Sequence, residues 1–355
     1  MSGMNLRTVL FRCLVVLGLT ATTLYGSAYA DYTMREDVLD YIDELVREHA
    51  FDEAQLLALF SKAERKESIR KAMSRPAEKT LKWYEYRQIF LKEPRISQGL
   101  EFWEVNADTL ARAEAQFGVP PEYVVAIIGV ETRYGRIVGS FRVVDALATL
   151  AFDYPTDTGR SRADFFRREL TEFLLLAREE NKDPLSLNGS YAGAMGYGQF
   201  IPSSFRAYAV DFDGDGLRDI WTSETDAIGS VANYFHVHGW RSGQSTVELV
   251  TLSPEADMVS LEALANSTLK PEQTVASLAA LGLEVGDLDP QQSAALFRMA
   301  LEDDAEYWLG LQNFYVITRY NRSRLYSLAV HQLAQLLLEA RQAALSAQSV
   351  KVQQT

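Results

Sequence analysis

From Asp31 onward the apolar positions recur at intervals of three and four. Val38, Leu39, Ile42, Leu45 and Val46 trace one helical face, and Leu56, Leu57, Phe60 and Ala63 trace a second. Arg75-Pro76 closes this block, and Trp83, Tyr84, Tyr86, Ile89 and Phe90 predict an aromatic helix broken at Pro94. Residues 101–117 predict one further helix, stopped by Gly118 and restarted at Pro120-Pro121, where proline suits the first turn. Helices follow over 141–151 and 161–180, a short one enters at Pro202-Ser203-Ser204 and runs through Phe205 and Tyr208, and another begins at Ala227 and ends near Gly239. Beyond Ser242 the period changes. Val247, Leu249, Val250 and Leu252 predict a strand, 271–281 a short helix, and 292–301 and 306–318 strands rich in aromatic and β-branched residues. A helix from about Ser323 to Ala344 and a frayed last ten residues complete a mainly α chain of the α+β class.

Two stretches break these patterns. In PPEYVVAIIGVETRYG (120–135), Val124, Ile127, Ile128 and Glu131 fall on one face, because offsets of three, four and seven superpose on a helix. An acid on an apolar stripe is a local rule broken, and such breaks concentrate at functional sites. With Gly135 ending the helix, Glu131 lies about one turn from its C-terminus. Burial and the negative end of a helix dipole both favour a protonated carboxyl, so an acid placed there is poised to donate. The second stretch, NGSYAGAMGYGQFIPSSF (188–205), alternates glycines with large apolar side chains, the composition of a packed loop lining a groove.

Asp211-Phe212-Asp213-Gly214-Asp215-Gly216-Leu217-Arg218-Asp219 has the opening of an EF-hand loop. Carboxylates stand at positions 1, 3 and 5, glycine at 6 for the sharp turn, a carbonyl from Leu217 at 7 and an acid at 9. Position 12 is Thr222 where a bidentate Glu belongs, and Asp226 is placed to close an enlarged loop, to cap the helix that begins at Ala227, or to do both. Crowded carboxylates repel unless a cation sits among them, so structural Ca2+ is expected.

The first thirty residues have the grammar of a secretory signal. Arg7 and Arg12 precede the apolar run Leu14–Leu19, and Ala28-Tyr29-Ala30 forms a cleavage site. The run falls short of the ~20 residues that span a bilayer. Cys13 lies within the leader and not after it, where a lipid-modified cysteine would sit, so an exported, periplasmic, unanchored protein is expected, without stable membrane insertion. The mature chain then holds no thiol, which removes disulfides and cysteine nucleophiles together. Net charge is −13, becoming −15 once Arg7 and Arg12 leave, which argues against nucleic acid as a partner. His236 and His238 are two apart, the wrong spacing for a zinc pair on one helix face, and no organic cofactor motif is present.

Taken together, GVETRYG (129–135), SYAGAMGYGQFIPSSF (190–205), DFDGDGLRDIW (211–221), DAIGSVANYFHVHGW (226–240) and NFYVITRYNRS (313–323) resemble the lytic murein transglycosylases of the B type over residues 75–340. The segment TDTGRS after Pro155 is longer and less basic than that pattern. The resemblance implies a lysozyme-like core wrapped by helical N-terminal segments and carrying a small β-containing subdomain. With the leader and tail read above, the chain divides into a signal peptide (1–30), a helical N-terminal part (31–110), the catalytic core (111–245), the β-containing subdomain (246–312), a returning C-terminal segment (313–345) and a tail (346–355). It implies Glu131 as the sole catalytic acid/base. Ser190 and Gln199 match residues that hold N-acetyl groups and hydroxyls, while Tyr86, Tyr234, Tyr320 and Asn321 match positions that line or orient the cleft. It further implies Asp211, Asp213, Asp215, Leu217 and Asp226 as calcium ligands. The expected partner is the peptidoglycan glycan strand, cleaved between N-acetylmuramic acid and N-acetylglucosamine to leave a 1,6-anhydro sugar. A muramidase that uses water, and a non-catalytic peptidoglycan-binding protein, are the alternatives.

Overall fold

A computed structural model describes residues 32–74, 81–155 and 161–353, with side chains to 347. The leader with Cys13, the Arg75-Pro76 break and residues 156–160 lie outside the described residues. The organising element is the helix Pro121–Thr132, of whose 12 residues nine are buried. Its apolar character extends around the whole circumference and not along one stripe, the pattern of a helix enclosed on all sides. Glu93–Val105, Ala107–Phe117, Glu224–Val237 and the long helix Arg324–Gln353 surround it.

The single helix expected over 101–117 is two. Pro94 occupies the first turn of Glu93–Val105 and starts it. Asn106 separates this helix from the next by donating its side-chain Nδ2 to the Phe102 carbonyl at 3.0 Å and to Glu224 Oε2 at 2.7 Å. An amide side chain that competes for backbone carbonyls in this way favours a boundary over a continuous helix. The N-terminal helices Glu36–His49, Glu53–Phe60 and Glu67–Ser74 lie against Val143–Phe152. Asp145, 1% exposed, accepts from the Glu64 N–H and pairs with Arg142, both at 2.8 Å, which fastens this layer to the core.

Residues 247–310 form a five-stranded antiparallel sheet in the order Gln273–Thr274, Ser293–Ala300, Ala305–Gly310, Val247–Leu252, Leu283–Glu284. Period-two alternation divides its two faces. Ala295, Phe297 and Met299 pack with Trp308, Trp83, Tyr86 and Leu328, while Ala294 and Leu296 pack with Leu261, Val275 and Leu278. The strand expected over 306–318 ends at Gly310, and Gln312–Tyr320 is helical. Its apolar residues meet the core on helical spacing, and the buried Asn313 ties its start to Arg241 and Gln244. The helix Met258–Leu264 and the strand Leu283–Glu284 were not anticipated, and the final helix continues to Gln353 where fraying was expected.

Candidate active site

Glu131 is the penultimate residue of the buried helix Pro121–Thr132 and is itself half-buried. The helix ends at Thr132, earlier than Gly135, because Arg133 and Tyr134 already adopt left-handed backbone, with φ of 53° and 60°. Gly135 continues this run at φ 78°, and a Cβ there would lie 2.1 Å from the Tyr197 ring. Three successive left-handed residues turn the chain sharply away from Glu131. Thr132 fixes the turn: its Oγ1 donates to the Tyr197 carbonyl at 2.9 Å and accepts from the Gly135 N–H at 3.0 Å. The glycine-rich loop is thereby fastened to the end of the helix that carries the acid. Arg95 supports the same turn by donating to the Gly129 carbonyl.

Tyr326, 2% exposed, donates its hydroxyl to Glu131 Oε1 at 2.5 Å across a separation of 195 residues. Tyr320 donates to the Gly198 carbonyl at 2.5 Å. Burial, followed by the Glu131 charge, drives both phenols far above their usual range, so they remain donors. Tyr86 is buried close enough to Tyr326 to push it further in the same direction. The Glu131 carboxylate bears on both phenols.

Tyr234 completes the aromatic wall. Its hydroxyl donates to the Arg319 carbonyl at 2.6 Å, and its ring lies 4.7 Å from Tyr320 and stacks on His238 at 4.1 Å. Gln199, at φ 50°, donates its Nε2 to the Val138 and Gly196 carbonyls, at 3.2 and 3.1 Å. Ser190 Oγ accepts from the Ala194 N–H at 3.1 Å and shapes the loop turn. Asn321, half-buried, follows the last turn of Gln312–Tyr320. Of the expected residues, Glu131, Tyr86, Tyr234 and Tyr320 converge electrostatically, whereas the hydrogen bonds seen at Ser190 and Asn321 are local. Sequence reasoning missed Tyr326 and Thr132. For Tyr326 the one local signal is an aromatic with a polar tip in the first turn of a long helix.

In the acidic loop, carboxylate oxygens of Asp211, Asp213 and Asp226 lie within 4.8 Å of one another. Ligands 2.3–2.6 Å from one Ca2+ stand at most about 5 Å apart, so these three fit one ion. Asp226 does not cap the helix as one alternative had it. Ser223 is the cap, and Asp226 sits in the first turn with its side chain accepting from the N–H groups of Phe212, Asp213 and Asp219 at 2.8, 3.2 and 2.8 Å. Asp219 is drawn aside to Thr222 and Lys182. The Asp215 carboxylate accepts from the Leu217 N–H at 2.8 Å.

A lysozyme-like helical core with one carboxyl at the end of its enclosed helix, faced by buried tyrosines, defines a glycan-cleaving enzyme. The Transglycosylase SLT domain family matches residues 34–335, and the chain belongs to this family, the peptidoglycan-cleaving lytic murein transglycosylases. Membrane-bound lytic murein transglycosylase B of Escherichia coli (strain K12) is 44% identical over 321 residues, covering 88% of this chain and 85% of that protein. Soluble lytic transglycosylase SltB1 from Pseudomonas aeruginosa superposes with a TM-score of 0.80 at 52% identity, covering 86% of this chain and 99% of that one. The Escherichia coli lytic transglycosylase Slt35, solved in complex with calcium, superposes with a TM-score of 0.77 at 43% identity, covering 88% of this chain and 94% of that one.

Proposed function

We propose that Glu131 acts as both acid and base in a transglycosylation that leaves 1,6-anhydro-N-acetylmuramic acid. The observation that carries this is the half-buried carboxylate at the end of the enclosed helix, hydrogen-bonded by Tyr326 and bearing on the buried phenols of Tyr320 and Tyr326. Ordinary glycosidases set two carboxyls about 5–9.5 Å apart. With one, the same group serves twice. Glu131 gives its proton to the glycosidic oxygen as the C1–O bond to the leaving N-acetylglucosamine breaks. The substrate's acetamido oxygen stabilises the charge at C1. The Glu131 carboxylate then takes the proton of the C6 hydroxyl, whose oxygen bonds to C1 and closes the anhydro ring. No water is consumed, and an intramolecular attack of good geometry can gain ~7–11 kcal/mol over a bimolecular one. Tyr326 holds the carboxylate in position between the two transfers, while Gln199, Ser190, Asn321, Tyr86, Tyr234 and Tyr320 orient the sugars.

Digestion of purified sacculi followed by mass spectrometry tests the reading. An anhydro product is lighter by one water than the product of a muramidase, and release of the hydrated sugar alone would refute it. A non-catalytic binding protein would release neither.

Ca2+ completes the reading as a structural ion held by Asp211, Asp213, Asp215, the Leu217 carbonyl and Asp226, where it would neutralise the clustered charge and pin the loop to the helix Glu224–Val237. The converging carboxylates and the calcium complex of Slt35 support it. The leader grammar supports export, cleavage after Ala30 and action in the periplasm without an anchor. Among the described residues no helix is long and apolar enough to cross a membrane. The related protein from Escherichia coli carries "membrane-bound" in its name, so cell fractionation with N-terminal sequencing is the deciding measurement.

A further inference from the structure

A cavity of about 420 Å³ opens between the turn that follows Met258–Leu264 and the link joining Tyr320 to Tyr326. Ser267 and Thr268 line it from the sheet side, and Arg322, Ser323 and Arg324 from the core side. Its lining holds two guanidinium groups and no carboxylate, in a chain whose net charge is −13. The other cavities described here contain acids: Asp289 beside Arg241 and Lys270, Asp183 beside Lys182, and Glu101 and Glu224 beside Arg136.

Most arginines of this protein that lie partly buried are paired, as Arg142 is with Asp145 and Arg218 with Glu180. Arg324 is, with Arg95, Arg133 and Arg167, among the exceptions, and Arg322 beside it is exposed. Among the described residues neither makes an ion pair, and Arg324 Nε is buried with no hydrogen-bond partner. Burial accordingly pulls the Arg324 guanidinium below its usual value. A desolvated cation without a partner is costly unless a ligand supplies the counter-charge. The walls of the cavity are held in place. Asn266 binds both backbone groups of Arg298 on the sheet, and Ser323 Oγ accepts from the Tyr326 N–H at 3.3 Å. The positive end of the helix Arg324–Gln353 adds a field of the same sign.

The position relative to the acid is set by covalent geometry. Arg322 follows Tyr320 by two residues, and Arg324 precedes Tyr326, the partner of Glu131, by two. Each arginine therefore stands within about 7 Å of chain from a tyrosine of the cleft. Building on the glycan-cleaving assignment above, we propose that Arg322 and Arg324 bind a carboxylate of the peptide stem that extends from the lactyl group of the muramic acid. A planar guanidinium matches a carboxylate in two parallel hydrogen bonds. Stem residues advance about 3.3–3.6 Å each, so a carboxylate two residues out from the lactyl group reaches this distance.

The experiment compares intact peptide-bearing glycan strands with the same strands stripped of peptide by an amidase, using wild type, Arg322→Ala and the Arg322→Ala/Arg324→Ala pair. Arg322 is exposed and its side chain makes no hydrogen bond or ion pair among the described residues, so its single variant remains informative if the double variant is unstable. The double variant is expected to lose at least tenfold more kcat/KM on peptide-bearing strands than on stripped ones, through KM, with the single variant shifted in the same direction. Equal losses on both substrates, or no loss on either, would overturn the proposal while leaving the glycan chemistry intact. A wild-type enzyme that releases anhydro product from neither substrate would overturn the reading beneath it and this inference together.

Discussion

Replacing Tyr326 by Phe removes one oxygen and leaves the buried ring in place. The atom lost is the donor to Glu131 Oε1 at 2.5 Å. A hydrogen bond to a charged group contributes about 1.5–3 kcal/mol, and deleting a buried donor leaves the acceptor short of its partner. At 1.36 kcal/mol per tenfold this becomes a fall in kcat of about 10- to 150-fold. The loss belongs in kcat because Tyr326 is buried and its hydroxyl bonds the acid. Removing an interaction that orients the proton donor slows chemistry without weakening the bound state. Quantifying anhydro-ended fragments from sacculi at several substrate concentrations separates the two parameters, and a melting curve checks that the fold survives. A kcat within threefold of wild type, or a loss confined to KM, would refute the assignment of Tyr326 as the residue that positions the acid.

Glu131→Gln keeps the shape and removes the titratable proton, so at least about a thousandfold of turnover should disappear, since proton transfer alone contributes 10²–10⁴-fold. A residual rate above a few per cent by the same mass-spectrometric assay would contradict it. Gly198→Ala puts a Cβ 2.8 Å from the Tyr320 hydroxyl, which must then leave the Gly198 carbonyl. We expect about a tenfold loss of kcat/KM, and wild-type kinetics would show Tyr320 to be dispensable. Chelation should lower the melting temperature by several degrees, since an ion at 100 times its Kd stabilises by about 2.7 kcal/mol. An unchanged melting curve together with no bound metal by native mass spectrometry would dismiss the site. His331, bonded through Nδ1 to Tyr123 Oη at 3.0 Å, is pulled down to about 4 by burial. The unfolded chain therefore binds this proton first. The contribution is intact above pH 6.5 and is lost as pH falls toward 4, at most about 3 kcal/mol. His331→Gln should flatten that segment of a urea-denaturation series against pH, and an unaltered slope would count against it.

What could be read in the sequence was local. Glu131 stood out because an acid interrupts nine buried neighbours in one helix, and the metal loop because its spacing lies within sixteen residues, Asp211 to Asp226. Tyr326 did not stand out, because its meaning comes from a contact across 195 residues. Gln312–Tyr320 was mistaken for a strand for a related physical reason. Phe314, Val316 and Ile317 suit either element, and what decides is the core they meet and the Asn313 bonds that fasten the first turn. The boundary errors have the same origin. Asn106 divides a helix through a bond to Glu224, 118 residues away, and Ser223 takes the cap that Asp226 was free to take.

These long-range ties also bear on the proposal that one carboxyl serves two proton transfers. The acid lies on the helix Pro121–Thr132, the groove loop is fastened to that helix through Thr132, and the tyrosine donor lies on Arg324–Gln353, beyond the sheet of residues 247–310 in the chain. Tyr86 contributes from a fourth segment and belongs to the cluster that also holds Phe297 and Trp308 of the sheet. A site assembled from such separate segments resists being deformed by its ligand, because moving the acid requires moving several packed layers at once. That rigidity is what the proposed chemistry demands. An acid that serves both proton transfers, as proposed, would have to keep the same orientation between them. In that scheme the Tyr326 hydrogen bond would supply the fixed orientation of the acid.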